Sequence, residues 1–566
     1  MATAALALVT AVAWRSTAQA EDPCRAIRKA CLQAGFVQGG AKAGNGIEID
    51  CVAPIVVGTP PPPQVTLPLP RLDPGVIAAC RESRGPPDTQ IPASTAPQAP
   101  PAPRPGRWPN IVMILVDDYS WDLIAQSMPN LAALRRDGTT FDNYFVTDSL
   151  CCPSRTSIFT GKLPHNSGVF TNTRPLGGFG AFQAHHDYSH TFALALHAAG
   201  YRTAMMGKYL NGYEPTKDGP PPGWSEWDVA GNGYGEFNYA LNENGRVKRY
   251  GNDPADYLTD VLSDRADTFI RASATGPFFL EVATFAPHAP YIPAPRDAAK
   301  FPDLTYPRAA SFGAQANETA PGWLKELQPL GPTDESEIDE AFRMRVRADQ
   351  AVDRMIGRLR ATLAELGLAG ETYVVFTSDN GYHMGEYCLM PGKMTPFDTD
   401  IRVPLVVAGP GVAGGRSLSE IAENIDLAPT FTELAGEAGP TEPDGHSLAA
   451  LLHTAPGTDE ALPWRRAALV EHRHPTKDPA DPDIQEPRSG NPPSYEALRT
   501  RNALYVEYDD TAHEVGYYDL SADPLELNNI AARLSPEALK RWHDADAANA
   551  NCKGARDCWA AQSAAP

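Results

Sequence analysis

From residue 109 onward, short uninterrupted apolar runs alternate with longer stretches of helical periodicity. This alternation predicts a parallel sheet covered on its faces by helices. Residues 111–116 (IVMILV) read as a fully buried strand, 129–136 as a helix, 191–199 as another helix and 278–282 as a second buried strand. A long helical pattern takes Thr333 or Asp334 as its N-cap, runs through AFRMRVRADQAVDRMIGRLRATLAEL and stops at Gly367, and a strand follows over 373–377. After about Pro440 the runs shorten and turn residues become frequent, as around 503–508 and 516–520, which predicts a smaller C-terminal α+β unit. No internal repeat is visible.

The chain has 566 residues, more than the ~250–300 that a single core usually holds, so more than one unit is expected. Residues 1–20 carry an apolar run from Ala4 to Trp14 and end in Ala18-Gln19-Ala20, the pattern of a signal peptide. A secreted or periplasmic protein is therefore expected. No later stretch approaches the ~20 apolar residues of a membrane span. Residues 21–80 form a small Cys- and Gly-rich unit, too short to hold a core without staples. Residues 81–107 are proline-rich and read as an extended tether. A catalytic domain is expected over 108–440, the α+β unit over 441–550 and a tail over 551–566.

Hydrophobic residues make up 42% and charged residues 21%, as in a folded globular protein. A formal net charge of −21 argues against a general binder of nucleic acid or anionic membrane. If the substrate is an anion, positive charge must be concentrated in the site. Six of the nine cysteines fall into two groups, Cys24, Cys31, Cys51 and Cys80 near the N-terminus and Cys552 and Cys558 near the C-terminus, enough for three disulfides in an oxidising compartment. Cys151, Cys152 and Cys388 are left over in the centre, an odd remainder that asks for a chemical explanation.

Asp117 and Asp118 come directly after strand 111–116, and Asp379 and Asn380 follow strand 373–377 in the same way. Open α/β sheets place ligands at these carboxyl ends of strands. Three carboxylates and an amide oxygen converging there make a hard, all-oxygen donor set suited to Ca²⁺ or Mg²⁺ rather than zinc. Asp and Asn after strands also serve as turn and cap residues, so either pair alone allows both readings.

Between the pairs lies CCPSRTSIFTGK, residues 151–162. It resembles the C-x-P-S-R motif of the sulfatase family, in which the first cysteine is oxidised to formylglycine by a maturation enzyme. Only Cys151 has proline two residues on and arginine four on; Cys152 is then the variable position, read as buried filler. The resemblance covers about residues 109–545 and is closest in motifs to the N-acetylglucosamine-6-sulfatase branch, through LCCPSRTSIFTGKLPHN, MGKYLNGY, APHAPY, TSDNGYHMGEY, FDTDIRVPLVVAGPG and YYDLSADPLELNNIA. It implies an alkaline-phosphatase-like α/β sandwich with a large mixed sheet and a smaller C-terminal domain. It implies one calcium ion held by Asp117, Asp118, Asp379, Asn380 and the modified Cys151. Arg155 matches the arginine that steadies the formylglycine, and Lys208, His288 and Lys393 match residues that hold the sulfate and protonate the leaving group.

Sulfate monoesters resist nucleophiles because the group under attack already bears negative charge, so cations must be placed where that charge develops. A formylglycine hydrate offers two hydroxyls on one carbon: one attacks sulfur, and deprotonation of the other drives sulfate out. Many members of the family carry a histidine two or three residues after the lysine matching Lys208; here Leu210 and Asn211 stand there. His165 is the candidate base, against a role in binding or packing. His185 and His186 read as loop residues, and His383 as lining the pocket. The expected substrate is a sulfated carbohydrate, such as a 6-sulfated hexosamine, or an aryl sulfate. Rival readings are a phosphonate monoester hydrolase or phosphodiesterase of the same superfamily, and a non-catalytic binder of sulfated glycans, which would not need the intact CCPSR run.

Overall fold

The strand Asn110–Val116 is buried along its whole length, and its side chains alternate between two cores. Ile111, Met113 and Leu115 point into one, and Val112, Ile114 and Val116 into the other. A strand apolar on both faces must be covered on both, which is why helices flank it on either side. The computed structural model describes residues 23–36, 47–52, 54–55, 65, 67–84, 91–92, 108–121, 127–436, 442–455, 462–473, 481 and 484–566. The expected signal segment, 1–20, lies outside the described residues, as does most of the proline-rich stretch.

The main sheet has eleven strands. At its centre Glu226–Ala230, Arg202–Lys208, Phe278–Ala283, Asn110–Val116 and Thr372–Ser378 run parallel, in that spatial order. Leu405–Ala408 pairs antiparallel with the last of these and with Thr139–Phe145, beside which Arg416–Glu423 runs parallel. The other side ends in the antiparallel strands Ala240–Glu243 and Arg246–Arg249, where Ile91–Pro92 adds a short edge pairing. The sheet is therefore mixed, with a parallel centre, as expected.

The helices Pro129–Asp137, Leu258–Ser273 and Pro332–Glu365 cover one face, and Cys151–Thr160, Phe192–Ala198 and Leu427–Leu434 the other. The long helix starts earlier than expected. Pro332 occupies its first turn and the Asp334 carboxylate accepts from Gly331 N at 2.7 Å, so Asp334 caps from inside the helix rather than from the N-cap position. A second, four-stranded antiparallel sheet comprises Ala467–His472, Ser494–Thr500, Ala503–Asp509 and Val515–Asp519. Residues 551–566, expected as a tail, include the helix Ala555–Ser563, whose Cys558 is buried and bonded to Cys552. Cys31 is bridged to Cys51, and Cys80 is also disulfide-bonded, while Cys151, Cys152 and Cys388 keep their thiols out of disulfides.

Candidate active site

Register delivers the site. Val116 lies opposite Ser378, so Asp117-Asp118 and Asp379-Asn380 leave adjacent strands side by side. Leu115 lies opposite Ala283, so the loop carrying His288 emerges next to them. Gly207 lies opposite Ala283 on the following strand, which brings up Lys208. At Gly207 φ is +99°, and a Cβ there would sit 1.9 Å from the Ala283 carbonyl oxygen, so only glycine lets the strands close just before the lysine.

The helix Cys151–Thr160 enters from the opposite side, with Cys151 in its first turn and all ten side chains buried. An anionic sulfur or oxygen at that position is favoured by the positive end of the helix dipole. Cys151 Sγ lies 3.5 Å from Asp117 Oδ1 and 2.8 Å from Lys393 Nζ. Lys393 also donates to Asp118 Oδ1 at 2.8 Å, and Lys208 to Asp117 Oδ2 at 2.5 Å. One helical turn beyond the cysteine, Arg155 donates from Nε to Asp379 Oδ2 at 2.8 Å and from Nη1 to the Lys208 carbonyl at 2.9 Å. Burial works against the charges of Lys208 and Arg155, but Asp117 holds the lysine well above its ordinary range, and Asp379 with Asp117 does the same for the arginine. His288 Nδ1 bonds the Ala289 carbonyl at 2.7 Å, and its Nε2 lies 3.6 Å from Asp118 Oδ2.

Three buried carboxylates are thus matched by three buried cations around position 151. Burying so many ions is expensive unless they are mutually compensated. Ligand atoms of Asp117, Asp118, Cys151 and His288 lie within 4.8 Å of one another. Asn380 bonds Asp118 Oδ1 and the Gly381 carbonyl through Nδ2, while its Oδ1 is buried with no hydrogen-bond partner among the described residues. An orphaned amide oxygen beside two carboxylates that already attract ammonium groups fits a hard divalent cation. Asp379 leaves the neighbouring strand end beside them: Oδ2 takes Arg155, and Oδ1 accepts from the N–H groups of Asp118 and Asn380 at 3.2 and 2.9 Å.

The structure decides one histidine reading and corrects another. His165 does not serve the nucleophile: its Nδ1 faces Glu471 Oε2 and its Nε2 the Cys552 carbonyl, each at 2.8 Å, so both ring nitrogens are spent on the C-terminal unit. His383 is fully buried rather than lining a pocket, with Nδ1 2.9 Å from Asp400 Oδ2 and Nε2 2.9 Å from the Ser489 carbonyl. Its backbone pairs with Gly392, next to Lys393, so it braces the loop that carries the lysine. Cys152 is core filler, its thiol pushed up to about 12 by burial. His186 is exposed beside Tyr188, and His185 ends the helix Gly178–Ala184.

Two residues escaped the sequence reading. Arg345, buried on the long helix, donates from Nη2 to the Asp118 carbonyl and stacks 4.4 Å over the Tyr382 ring. It holds Asp118 in its left-handed conformation, φ +63°. An arginine on the apolar stripe with Phe342 and Val346 was the available signal. Tyr234, from the Gly-rich stretch GNGYGEF, packs against His288 and beneath Lys208. Its only signal was an aromatic residue in a polar loop.

A family model described as Sulfatase matches residues 109–437, and one described as N-sulphoglucosamine sulphohydrolase, C-terminal, matches 385–543. Human N-acetylglucosamine-6-sulfatase is 34% identical over 466 residues, covering 76% of this chain and 83% of that one. A structure solved in complex with its substrate D-glucosamine-2-N,6-O-disulfate superposes with a TM-score of 0.62 at 24% identity, over 77% of this chain and 96% of the other. The phosphonate monoester hydrolase of Agrobacterium radiobacter shares the fold at a TM-score of 0.58 and 22% identity, over 77% and 94% of the two chains.

Proposed function

This chain belongs to the sulfatase family and is a sulfuric ester hydrolase, and from that premise we propose that it removes a 6-sulfate from a hexosamine-containing carbohydrate, using formylglycine at position 151 and one calcium ion. The observation that carries the site assignment is the placement of Cys151 at a helix N-terminus, with Asp117 and Lys393 against its sulfur. The substrate class is supported by the names of the relatives, N-acetylglucosamine-6-sulfatase and the glucosamine disulfate complex.

Asp117, Asp118, Asp379, the orphaned oxygen of Asn380 and the modified residue 151 would hold the calcium; the ion, when bound, offsets negative charge on the sulfate and on the attacking oxygen. A formylglycine hydrate at 151 supplies two hydroxyls, one to attack sulfur and one to release sulfate. The chain's own residues do the rest. Lys208 and Lys393 lie on carboxylates on either side of position 151, where they can turn to the sulfate oxygens without leaving the site. Arg155 keeps Asp379 and the end of the Lys208 strand in place. His288 keeps one proton on Nδ1, against the Ala289 carbonyl; as an imidazolium it would carry the second on Nε2, near Asp118, and hand that one to the departing sugar oxygen, leaving the neutral ring.

Export to an oxidising compartment, secreted or periplasmic, is supported by the disulfides, and a formylglycine-generating enzyme is the required maturation partner. Among the described residues no helix is long and apolar enough to cross a membrane. The test is mass spectrometry of the peptide ending at Arg155, with rates on 6-sulfated N-acetylglucosamine, aryl sulfate and an aryl phosphodiester. An aldehyde at 151, a thiol at 152 and preference for sulfate are expected. Two unmodified thiols in fully active enzyme, or faster diester cleavage, would overturn the proposal.

A further inference from the structure

Exposure around the site is uneven. Cys151, Asp379 and Lys393 are 0% exposed, whereas Lys208 is 3%, and His288, Asn211 and Tyr234 are each 6% exposed. What exposure there is lies on the Lys208–His288 side, where Tyr234 stands. Its ring is a wedge set in the apolar core on one side, with the Phe285 ring edge-on at 5.1 Å between centroids. On the other side it meets the imidazole of His288 at 4.5 Å between centroids and lies 5.0 Å from Lys208 Nζ.

We infer that Tyr234 is a positioning residue that fixes the imidazole of His288 and the ammonium of Lys208 relative to each other, so that proton donor and sulfate-binding cation meet the same ester. The inference rests on the role of His288 proposed above. Nδ1–H of His288 is anchored on the Ala289 carbonyl at 2.7 Å, which fixes one edge of the ring, and the Tyr234 ring closes one face of the imidazole and so limits its tilt. For the ammonium, an aromatic face on one side and Asp117 Oδ2 at 2.5 Å on the other restrict Nζ. The ring makes both contacts, to the imidazole and to the ammonium, so the positioning is assigned to the ring.

A misplaced acid matters only when the leaving group needs a proton. A sugar alkoxide does, and nitrophenolate leaves with little help. The test compares wild type, Tyr234→Phe, Tyr234→Leu and Tyr234→Met on 6-sulfated N-acetylglucosamine and 4-nitrophenyl sulfate, with calcium content and thermal melting followed in parallel. Tyr234→Leu and Tyr234→Met should lose on the order of 10²-fold in kcat/KM on the sugar sulfate and less than about 10-fold on nitrophenyl sulfate. Tyr234→Phe should restore near wild-type rates on both, with calcium content unchanged. Equal losses on the two substrates, or a Tyr234→Phe loss as large as that of Tyr234→Leu, would overturn the inference. Met fills much of the ring's volume, so a Leu variant that fails to fold leaves the Met variant to decide. If the wild type prefers phosphodiesters, the sulfatase proposal fails, and the same contrast is then read between alkyl and nitrophenyl phosphodiesters.

Discussion

Two of the buried clusters of charge among the described residues are built differently. Around Arg465, every carboxylate oxygen of Glu423 and Asp426 has a partner. Arg465 reaches Glu423 Oε2 and Asp426 Oδ1, Gln562 donates to Glu423 Oε2 at 2.6 Å, and the N–H groups of Leu469, His446 and Glu423 take the remaining places. The partners are a planar guanidinium, an amide and backbone, none of which moves easily. Around position 151, two of the three cations are lysines on flexible stems, an amide oxygen of Asn380 is orphaned, and Arg155 Nη2 stops 3.9 Å short of Asp117. The first, closed by a guanidinium, an amide and backbone, ties a strand of the main sheet to the C-terminal unit; the second stays open, its lysines on stems that can turn. Burial, charge and orphaned polar atoms do not separate the two, since Arg465 Nε and Gln562 Oε1 are also buried without a hydrogen-bond partner among the described residues; the mobility of the partners does.

The contrast is broken most severely at the open cluster. Asp118→Ala should lose bound metal and all measurable turnover together, because it removes a proposed ligand and leaves Lys393 without that carboxylate. Elemental analysis beside kinetics checks this; retained calcium with lost activity would move Asp118 out of the ligand set. Cys151→Ser, with one hydroxyl in place of two, should retain metal and fail to turn over. His288→Ala comes next, with a loss on sugar sulfate exceeding that on nitrophenyl sulfate by about 10²–10⁴-fold, the usual range for general acid catalysis. Equal losses would leave His288 a binding residue.

At the closed cluster the expected damage is to stability and not to chemistry. Arg465→Ala leaves Glu423 and Asp426 buried and uncompensated, and should cost about 3–5 kcal/mol, read by denaturant unfolding. Turnover per folded molecule should stay near wild type. If kcat falls with intact folding, the two clusters are coupled and the division between them is wrong.

How much of this could be read from the sequence depended on how far apart the partners lie. The strands at 111–116 and 373–377 were legible because burial on both faces leaves an unbroken apolar run, and the acids after them because strand ends share one sheet edge. Lys208, His288 and Lys393 were legible only as matches to a family pattern, since a lone lysine or histidine carries no signal of its own. The start of the long helix was misplaced because an acid looks the same in the sequence whether it caps from the N-cap or from the first turn, as Asp334 does. Tyr234 was missed because its partners belong to other elements, Lys208 on one strand and His288 on a separate loop. His165 could not be decided between base and packing for the same reason on a larger scale: its partner Glu471 is 306 residues away.

His165 also supplies the mildest test, because it sits in the motif turn after the nucleophile yet belongs by its contacts to the C-terminal unit. Burial lowers its pKa, but the hydrogen bond and charge of Glu471 outweigh that and raise it above the ordinary value. A histidine whose folded pKa is raised adds stability that is fully present below the unfolded value, about 6.5, and is lost as pH climbs through the folded value. Wild type should therefore melt above His165→Gln at pH 6, and the gap should shrink by pH 9, where neither protein carries the imidazolium. The effect is small, a few degrees at most for a chain of this size. At every pH, kcat of His165→Gln should match wild type to within about twofold, because general-base removal typically costs 10²–10⁴-fold and no such loss is expected of a residue whose two ring nitrogens are already engaged. A hundredfold fall in kcat with a normal melting curve would return His165 to the chemistry and erase the boundary drawn between the two clusters.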